Sequence, residues 1–570
     1  MERADDSARV RDLEEAIADR VHPEMMLHID PSAQAAVRAM LRVFRGTQPN
    51  FTIAMSRAGT VLPDLLHAGL VRKVIAGGVV NAGVRAGGSA SLQQAYRSGT
   101  VEFEHWSLYS IVLRFMAGAL GWPFVPVRSI AGSTMAERNG DSFAETESPF
   151  DGSPASVMRP LLPDLSLLHV AVADVHGAAL SLPPYEGDLW GARASRNGTI
   201  LVAERIADAD ELRKHPHFVQ LLPSRAHTVC PAPFAGHPYR VSSTHSTILP
   251  GYRQDGTFLK GYERAVAAAE SHERWLEEWV YSVPNHDAYL DRVGRERLAA
   301  LATPLPPARA GESPTTSEPT PHPSASTVDL EDCIVIAVAR RIVQRVVAGA
   351  VDTVLVGNGL AALPCAVAYV LLRELGQTVQ LVRGTGAAGW TPSPGRSETE
   401  LATAMMLCGT TEAYGVLIGG QRSRSLAVLS AAQIDRFANL NSTELHATHA
   451  LLTGSGGAND AASLASDVIV VARNRPGRFV RDVDFVTAPG DRVSTVISDL
   501  GVLVKELGKA ELRLSSIFHT PSGNIELIQQ TASVGGWTVR RASEVTHEPA
   551  PTAHELAVLA RTRGEPTLSE

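Results

Sequence analysis

Strand-like and helix-like hydrophobic patterns alternate in the second half of the chain. The apolar run DTVLVG (352–357) has the length of a buried strand, LAALPCAVAYVLLREL (360–375) has the length of a helix, and TVQLVRG (378–384) is strand-like again. A strand, a helix and a second strand in this order predict a parallel pair, because two parallel strands need a long crossover connection. The second half is therefore predicted to be an α/β domain.

The first half shows the same kind of pattern. VRKVIAGGVV (71–80) and LSLLHVAVAD (165–174) predict buried strands, whereas LYSIVLRFMAGAL (108–120) predicts a helix with an apolar stripe that faces a core. We therefore expect two tandem open α/β domains, each with a mostly parallel sheet.

A segment poor in apolar residues separates the two halves. The chain has 570 residues, which is more than one hydrophobic core usually supports. Residues 303–327, TPLPPARAGESPTTSEPTPHPSAST, are rich in Pro, Ser and Thr. Such a segment cannot bury enough apolar surface to offset the entropy cost of ordering it. We predict a first domain at 1–302, a flexible linker at 303–327 and a second domain at 328–570.

Charge and cysteine content exclude several classes of protein. The net charge is −8 and no basic stripe is present, so nucleic acid is not an expected partner. The four cysteines lack C-x-x-C spacing, which favours a reducing cytoplasm over a disulfide framework and predicts no metal site. The apolar stretch at 333–350 contains three arginines, so it predicts a buried or amphipathic helix and not a membrane span. The charged N-terminal segment has no apolar signal core, and a cytoplasmic location is expected.

Two glycine-rich turns stand in front of predicted helices. Their residues are Gly357 and Gly359 in VGNGL (356–360), and Gly454, Gly456, Gly457 and Asn459 in TGSGGAND (453–460). Backbone N–H groups in such turns can bind anions or carbonyl oxygens. A turn of this composition can equally be a tight packing turn, and the residues alone leave both interpretations open.

The segment EFEHWSLY (102–109) carries ionisable side chains on a strand-like run. Glu104 and His105 are neighbours there, so only one of the two can face a given site. A histidine titrates near neutral pH and can serve as a general base. His105 can also be a surface or structural residue.

The order and spacing of many segments resemble a class I CoA-transferase of the glutaconate-CoA-transferase type, with its two different polypeptides, A and B, fused in one chain. The first half matches the A polypeptide, whereas the second half matches the B polypeptide. The matching segments include VEFEHWSLYSIVLRFMAGALGWPFVPVRSIAGS, LLPDLSLLHVAVADVHG and WLEEWVYSVPNHDAYLDRVG in the first half, and VLVGNGLAALPCAVA, AAQIDRFANLN, GSGGANDAASLASDVIVVA and RFVRDVDFVTAPGDRVSTVISDLGVL in the second.

The resemblance implies a mechanism with a covalent intermediate. Enzymes of this type use a glutamate at a strand end of the B half, which attacks an acyl-CoA thioester and then carries CoA as a glutamyl thioester. In this sequence LVRGTGAAG (381–389) keeps the frame of that motif and lacks the acid. Gly384 falls at the glutamate position, and Gly386 and Gly389 match later glycines. Two explanations of Gly384 are open. Either its backbone requires a positive φ, which favours glycine, or the glycine leaves free space at the position of the lost acid.

The acyl side departs from the family in a second place. A glycine-rich loop usually follows the first strand, but the corresponding stretch EMMLHIDPSAQAAV (24–37) has no glycine. A backbone that carries side chains cannot approach a ligand as closely, so one wall of the acyl pocket is expected to be rebuilt. On the CoA side, the resemblance implies that Gln433 and Asn439 border the site together with both glycine turns. CoA or acyl-CoA is expected as a substrate, with no tightly bound cofactor.

A replacement for the missing glutamate is expected in the first half. Some CoA-transferase-like hydrolases without this glutamate use an acid of the A half, but that position corresponds to Leu108 here. Glu104 and His105 are the nearest candidates.

The sequence leaves three functions open. We favour an enzyme that transfers the acyl or CoA group of an acyl-CoA by direct attack of a small-molecule acceptor. The alternatives are hydrolysis of an acyl-CoA thioester or a C–C bond, and a non-catalytic relative that binds CoA ligands. A homo-oligomer is compatible with each of the three.

Overall fold

The computed structural model describes residues 9–79, 88–184, 187–241, 248–302, 329–392, 399–506, 509–518 and 537–564. The predicted linker at 303–327 lies outside these residues.

The chain divides into two compact units. The first comprises Met1–Ala131, Met135–Pro306 and Thr443–Gly457, and the second comprises Gly132–Thr134, Pro307–Ser442 and Ala458–Glu570. Thr443–Gly457 belongs by sequence to the second half but groups with the first unit. The side chain of Gln93 holds it there, because Nε2 donates to the carbonyl of Leu451 at 2.8 Å and Oε1 accepts from the N–H of Leu451 at 3.1 Å. The domain boundary at 303–327 itself stays a prediction.

A nine-stranded sheet forms the centre of the first unit. Its strands are Met26–Ile29, Phe51–Met55, Val71–Ala76, Glu102–His105, Leu165–Ala173, Ala179–Leu180, Thr199–Ile206, Val219–Leu221 and Ala226–Pro231. All of them pair in parallel except the two short strands Ala179–Leu180 and Val219–Leu221, which pair antiparallel. The carboxyl ends of the parallel strands therefore meet at one edge of the sheet, where ligand sites of open α/β sheets usually lie.

Helices and two small sheets complete this unit. The helices are Leu13–Arg20, Gln34–Val43, Val61–His67, Ala90–Ser98, Leu108–Leu120, Thr134–Arg138, Asp188–Ala194, Ala209–Arg213, Gly256–Ala265, Ala269–Leu276, the π-helix Glu277–Tyr281, His286–Val293 and Arg295–Ala302. The small sheets consist of Val125–Val127, Phe143–Glu147 and Pro154–Met158, and of Glu444–Leu445 and Ala450–Leu451. Leu108–Leu120 begins at a capping box formed by Ser107 and Ser110 and ends at Gly121 in the left-handed conformation.

The second unit is built on a ten-stranded sheet. Its strands, in spatial order, are Met406–Leu407, Ala387–Ala388, Gln380–Val382, Thr353–Val356, Ser425–Leu429, Asp467–Val471, Val493–Ser498, Gly501–Val504, Arg513–Ile517 and Arg540–His547. The strands from Gln380–Val382 to Val493–Ser498 pair in parallel. The remaining elements are Leu330–Val347, the 3₁₀-helix Gly359–Ala361, Ala362–Glu374, Thr399–Thr403, the π-helix Thr411–Ile418, Ala458–Leu464, Ala553–Arg563 and the strand pair Gln433–Ile434 and Leu440–Asn441.

Each unit has its own apolar core. In the first, residues such as Leu27, Ile53 and Leu167 of adjacent parallel strands are fully buried. In the second, buried residues on the apolar side of the helix Leu330–Val347 form one cluster with Val354 and Ile469 of the sheet. Within the described ranges, no helix is long and apolar enough to cross a membrane.

The predicted fold class is confirmed, with two α/β units and large, mostly parallel sheets. The strands predicted around 71–80 and 165–174 and the helix at 108–120 are present as Val71–Ala76, Leu165–Ala173 and Leu108–Leu120. The predicted strand–helix–strand unit of the second half is present as well, and its two strands pair in parallel.

Candidate functional site

The residues singled out in the sequence fall into two groups, one in each unit. Glu104, His105, Gly454, Gly456 and Gly457 lie in the first unit, and Gly357, Gly359, Gly384, Gly386, Gly389, Gln433, Asn439 and Asn459 lie in the second.

Glu104 binds three neighbouring side chains at the edge of the first sheet. Its carboxylate pairs with Lys73 at 2.8 Å and Arg114 at 3.0 Å, and it accepts a hydrogen bond from the indole of Trp106 at 2.7 Å. Burial alone would raise the pKa of Glu104, but these three partners lower it. A carboxylate held by two cations and an indole is a poor proton acceptor, so the surroundings of Glu104 suit a structural role better than a catalytic one.

His105 lies at the end of the same strand and has a different environment. Its ring is buried, and Nε2 lies 3.2 Å from Oε1 of Glu444. Its backbone carbonyl accepts a hydrogen bond from Nδ2 of Asn139 at 2.7 Å. The strand thus places His105 at the carboxyl edge of the sheet, next to a buried carboxylate from a distant part of the sequence.

Glu444 was missed by sequence reasoning. Only 2% of its side chain is exposed, and Nη1 of Arg138 donates to both carboxylate oxygens at 2.8 and 2.9 Å. The hydroxyl of Tyr96 also donates to it, and burial together with the charge of Glu444 raises the pKa of Tyr96. Burial alone would raise the pKa of Glu444, but His105 and Arg138 lower it to about 2. No local sequence motif predicts a role for Glu444, because its partners lie more than 300 positions away in the chain.

The glycine turn at 453–457 packs against the backbone near Gly77 and Leu108. The N–H of Gly456 donates to the carbonyl of Gly77 at 2.6 Å, and its carbonyl accepts from the N–H of Leu108 at 2.9 Å. A Cβ on Gly454 would lie 2.9 Å from the backbone nitrogen of Val79. Close packing therefore explains Gly454, whereas Gly456 has open space beside it and a positive φ of +54°, which favours glycine. A role of Gly454, Gly456 and Gly457 in CoA binding stays a prediction.

The strand end at Gly384 is filled by a tyrosine. A Cβ built on Gly384 would lie 2.6 Å from Cζ of Tyr414 and closer still to its hydroxyl oxygen. Tyr414 is buried in the π-helix Thr411–Ile418, and burial followed by the charge of Asp460 raises its pKa, so the hydroxyl is neutral. The φ of Gly384 is not positive, and no free space is left beside it. Both sequence-based explanations of this glycine are therefore wrong.

The two glycines after Gly384 shape the tight connection to the next strand. Gly386 has φ +102° and donates to the carbonyl of Arg383 at 2.9 Å, and Gly389 has φ +66°. Both conformations are unfavourable for side chains other than glycine. The guanidinium of Arg383 donates to the carbonyl of Gly357 at 2.9 Å and pairs with Glu400 at 2.7 Å, which ties this turn to the strand Thr353–Val356.

Gly357 and Gly359 lie where the strand Thr353–Val356 ends. A Cβ on Gly357 would collide with the carbonyl of Val428, which explains this glycine by packing. Gly359 lines a cavity of about 200 Å³ together with Leu360, Val471 and the ion pair between Glu331 and Arg473. The cavity lies at the carboxyl ends of the strands Thr353–Val356 and Asp467–Val471, as expected for a ligand position in an open α/β sheet.

The predicted polar residues of the second unit hold loops together. Gln433 donates to Asp484 at 3.0 Å and accepts from Asn441 at 2.7 Å. Asn439 donates to Asp435 at 2.9 Å and accepts from the N–H of Gly490 at 2.9 Å. Asn459 donates to the carbonyl of Thr487 at 2.9 Å. The three amides therefore have structural partners, and their predicted contact with CoA stays a prediction.

No group of three or more histidine, cysteine, aspartate or glutamate side chains that could hold a metal ion occurs in the described part of the chain. The thiols of Cys230 and Cys365 are buried, and burial raises the pKa of each to about 12. Such thiols are poor nucleophiles.

Comparisons with known proteins agree with this architecture. Residues 10–218 match the family model for coenzyme A transferase. The A polypeptide of glutaconate CoA-transferase from Acidaminococcus fermentans is 26% identical over 52% of this chain and 94% of its own length. The B polypeptide of 3-oxoadipate CoA-transferase from Pseudomonas knackmussii is 28% identical over 41% of this chain and 93% of its own length.

A solved structure extends the similarity in fold to nearly the whole chain. An acyl-CoA transferase from E. coli O157:H7, crystallised as a thioester complex with CoA, superposes with a TM-score of 0.63 at 14% identity and covers 95% of each chain. Residues 10–218 thus match the coenzyme A transferase family, and segments similar to the separate A and B polypeptides of such enzymes follow one another in a single chain.

Proposed function

We propose that this protein acts on an acyl-CoA thioester and transfers the acyl or CoA group by direct attack of an acceptor, without a glutamyl-CoA intermediate. The match of residues 10–218 to the coenzyme A transferase family model supports the substrate class. The strand end at Gly384 supports the absence of the intermediate.

The observation that carries the proposal is the contact between Gly384 and Tyr414. The resemblance implies that enzymes of the family carry a glutamate nucleophile at the position that corresponds to Gly384. Here the hydroxyl of a buried tyrosine occupies the volume of the missing side chain. The raised pKa of Tyr414 keeps it protonated near neutral pH, so it cannot replace the glutamate as an anionic nucleophile.

His105 is the proposed proton acceptor for the attacking group. Its partner Glu444 stays ionised down to a pH of about 2, and a fixed negative charge 3.2 Å from Nε2 stabilises the imidazolium that forms when His105 takes up a proton. An acceptor with an O–H or N–H group loses its proton to His105 and forms a bond to the thioester carbonyl carbon. The C–S bond then breaks, and the CoA thiolate takes the proton from His105. A carboxylate acceptor attacks without losing a proton, and the released CoA thiolate then attacks the acceptor's carbonyl carbon in the mixed anhydride, which gives the new thioester and frees the first acid.

A panel experiment tests this proposal. The full chain and the His105→Gln variant are incubated with a set of acyl-CoAs, with and without carboxylate and amine acceptors, and the products are followed by mass spectrometry. Free CoA with an acylated acceptor, or a new CoA thioester, supports direct transfer. Free CoA without an added acceptor indicates hydrolysis, and binding without turnover indicates a non-catalytic relative.

A further inference from the structure

Ser32 lies on the turn that connects a central strand of the first sheet to a helix. The strand Met26–Ile29 ends just before this turn, and the helix Gln34–Val43 begins just after it. This is the segment that lacks the glycines usual in the family. Ser32 is partly exposed, whereas Asp30 before it is buried. A serine between the carboxyl end of a parallel strand and a helix projects towards the edge of the sheet where ligands bind.

Two buried side chains line up behind Ser32. Nδ1 of His169 lies 3.2 Å from Oγ of Ser32, and Nε2 of the same ring lies 2.8 Å from Oε1 of Glu204. His169 and Glu204 come from the adjacent parallel strands Leu165–Ala173 and Thr199–Ile206. The hydroxyl, the two ring nitrogens and the carboxylate form one continuous chain of hydrogen bonds, which is the arrangement that activates serine nucleophiles.

The electrostatics of this chain favour proton uptake by His169. Burial alone would lower its pKa, but the hydrogen bond and charge of Glu204 and the charge of Asp30 raise it. Glu204 is itself fixed by the hydroxyl of Tyr252 at 2.6 Å and the N–H of Gly236 at 3.3 Å. The imidazolium that would form when His169 takes the proton of Ser32 is therefore stabilised.

Asp30 competes for the same serine proton. Its Oδ1 accepts from the N–H of Ser32 at 2.8 Å and from its hydroxyl at 2.7 Å, as in a simple turn. Burial, and then the charge of Asp188, raise the pKa of Asp30. The hydroxyl of Ser32 is within hydrogen-bond distance of both Asp30 and His169, and its reaction requires the rotamer of the hydroxyl hydrogen that points to His169. The hydrogen bonds to Asp30 are enough to stabilise the turn, so the turn alone does not explain why His169 and Glu204 are aligned with Ser32.

We propose that Ser32 is a nucleophile that accepts acyl groups as an oxygen ester, with His169 as its base and Glu204 as the positioning residue behind that base. Oγ of Ser32 forms a bond to the acyl carbonyl carbon, and its proton passes to Nδ1 of His169. When the donor is an acyl-CoA, the C–S bond breaks and the proton moves from His169 to the CoA sulfur. Water or a second acceptor then cleaves the ester and restores Ser32. The donor rests on the proposed function, whereas the reactivity of Ser32 rests on the geometry alone.

A fluorophosphonate probe tests the reactivity of Ser32 without any CoA ligand. The full chain is treated with a biotin-tagged alkyl fluorophosphonate, and the labelled residue is identified by peptide mapping. We expect label on Ser32, loss of that label in Ser32→Ala, and labelling slowed at least 10-fold in His169→Gln, in line with general-base contributions. Peptide mapping of the wild type identifies the site even if a variant fails to fold.

Ser91 provides the matched control. Its hydroxyl also lies next to histidines, 3.0 Å from Nδ1 of His67 and 3.1 Å from Nδ1 of His272, but it lies within the first turn of a helix and is buried. Ser91→Ala should keep the full label on Ser32. A wild type that carries no label on Ser32, or a label whose rate is the same in His169→Gln, overturns the proposal.

A second arm separates this proposal from the proposed function. After incubation with acyl-CoA and denaturing quench, an acyl mass on the Ser32 peptide supports acyl-CoA as the donor and Ser32 as the nucleophile, and shows that the acyl group passes through Ser32 before it reaches the acceptor. Turnover of acyl-CoA in Ser32→Ala at the wild-type rate keeps the proposed function and overturns the role of Ser32. Fluorophosphonate labelling of Ser32 in a chain that turns over no acyl-CoA keeps Ser32 as a nucleophile and overturns the choice of donor.

Discussion

Two buried histidine–glutamate pairs, His105–Glu444 and His169–Glu204, lie in the first unit, and they differ in what else each glutamate binds. Glu444 faces His105 and is also held by the guanidinium of Arg138. Glu204 faces His169, and its other described partners are the neutral groups of Tyr252 and Gly236. The charge of Glu444 therefore acts on a guanidinium as well as on His105, whereas that of Glu204 acts mainly on one ring.

The comparison teaches that a histidine–glutamate contact alone does not define a role. The pKa of His169 is raised by its surroundings, and its second ring nitrogen reaches a hydroxyl on a turn. In the other pair the shifted pKa is that of the carboxylate, since His105 and Arg138 lower the pKa of Glu444 to about 2. The first arrangement suits activation of a nucleophile, and the second fixes a charge beside His105.

The largest expected effect is on stability, from Glu444→Ala. The variant leaves the buried His105 without the carboxylate that it faces and also removes the partner of the half-exposed Arg138. Breaking a buried pair of this kind costs about 3–5 kcal/mol. Urea unfolding at pH 7 measures the loss. Glu147→Ala, at an exposed glutamate of the same unit, should change the unfolding free energy by less than about 0.5 kcal/mol. Equal losses in the two variants would show that the Glu444 cluster adds no stability.

The next effect is on catalysis, from His105→Gln. If His105 accepts a proton from the attacking group, kcat/KM for acyl-CoA turnover should fall on the order of 10²-fold with the fold intact. His446→Gln changes an exposed histidine close to Glu444 in the chain and should keep the wild-type rate. An unchanged rate in His105→Gln would leave His105 as a structural partner of Glu444 and shift the base to His169.

A smaller effect is expected from Gly384→Ala. The added methyl group overlaps the ring of Tyr414, and overpacking of this kind costs about 1–3 kcal/mol. Thermal unfolding measures the loss, and Gly140→Ala is the control because a Cβ there meets no atom within 4 Å. For the same reason, Gly384→Glu should not restore a family nucleophile unless Tyr414 is also made smaller. A fully stable Gly384→Ala would show that Tyr414 does not fill this position.

The smallest effect is expected from Arg138→Gln. The arginine is 47% exposed, so its removal should cost only about 1 kcal/mol at pH 7. The stability contributed by ionised Glu444 is complete above its ordinary pKa of 4.5 and is lost as pH falls through the folded value of about 2. Without Arg138 the folded pKa of Glu444 rises, so the acid loss begins at a higher pH. Identical acid unfolding curves for the variant and the wild type would contradict this.

Much of the fold could be predicted from local pattern. The runs at 71–80, 165–174 and 352–357 are continuous apolar segments of strand length, because the strands of a parallel sheet are covered on both faces. The helix Leu108–Leu120 combines an apolar stripe with a serine cap and a terminal glycine. Each signal lies within a few residues of the element that it specifies.

The functional groups were harder to predict, because their partners are distant in the chain. His105 could be singled out, but Glu444 is held by residues of the first half more than 300 positions away. The missing acid at Gly384 was visible in the sequence, whereas Tyr414 was not, because a π-helix brings it over the strand end. Ser32 follows the end of the strand Met26–Ile29, whereas His169 and Glu204 lie within two other strands, and only the strand order brings the three together.

The central claim is that acyl-CoA is attacked without a CoA adduct at the strand end of the second unit. The direct test is to mix the full chain with acyl-CoA, quench it in denaturant during turnover, and map all peptides by mass spectrometry. We predict free CoA with acylated acceptor or a new CoA thioester, and residues 379–390 without a CoA mass. A CoA thioester on any glutamate or aspartate of the second unit would contradict the account.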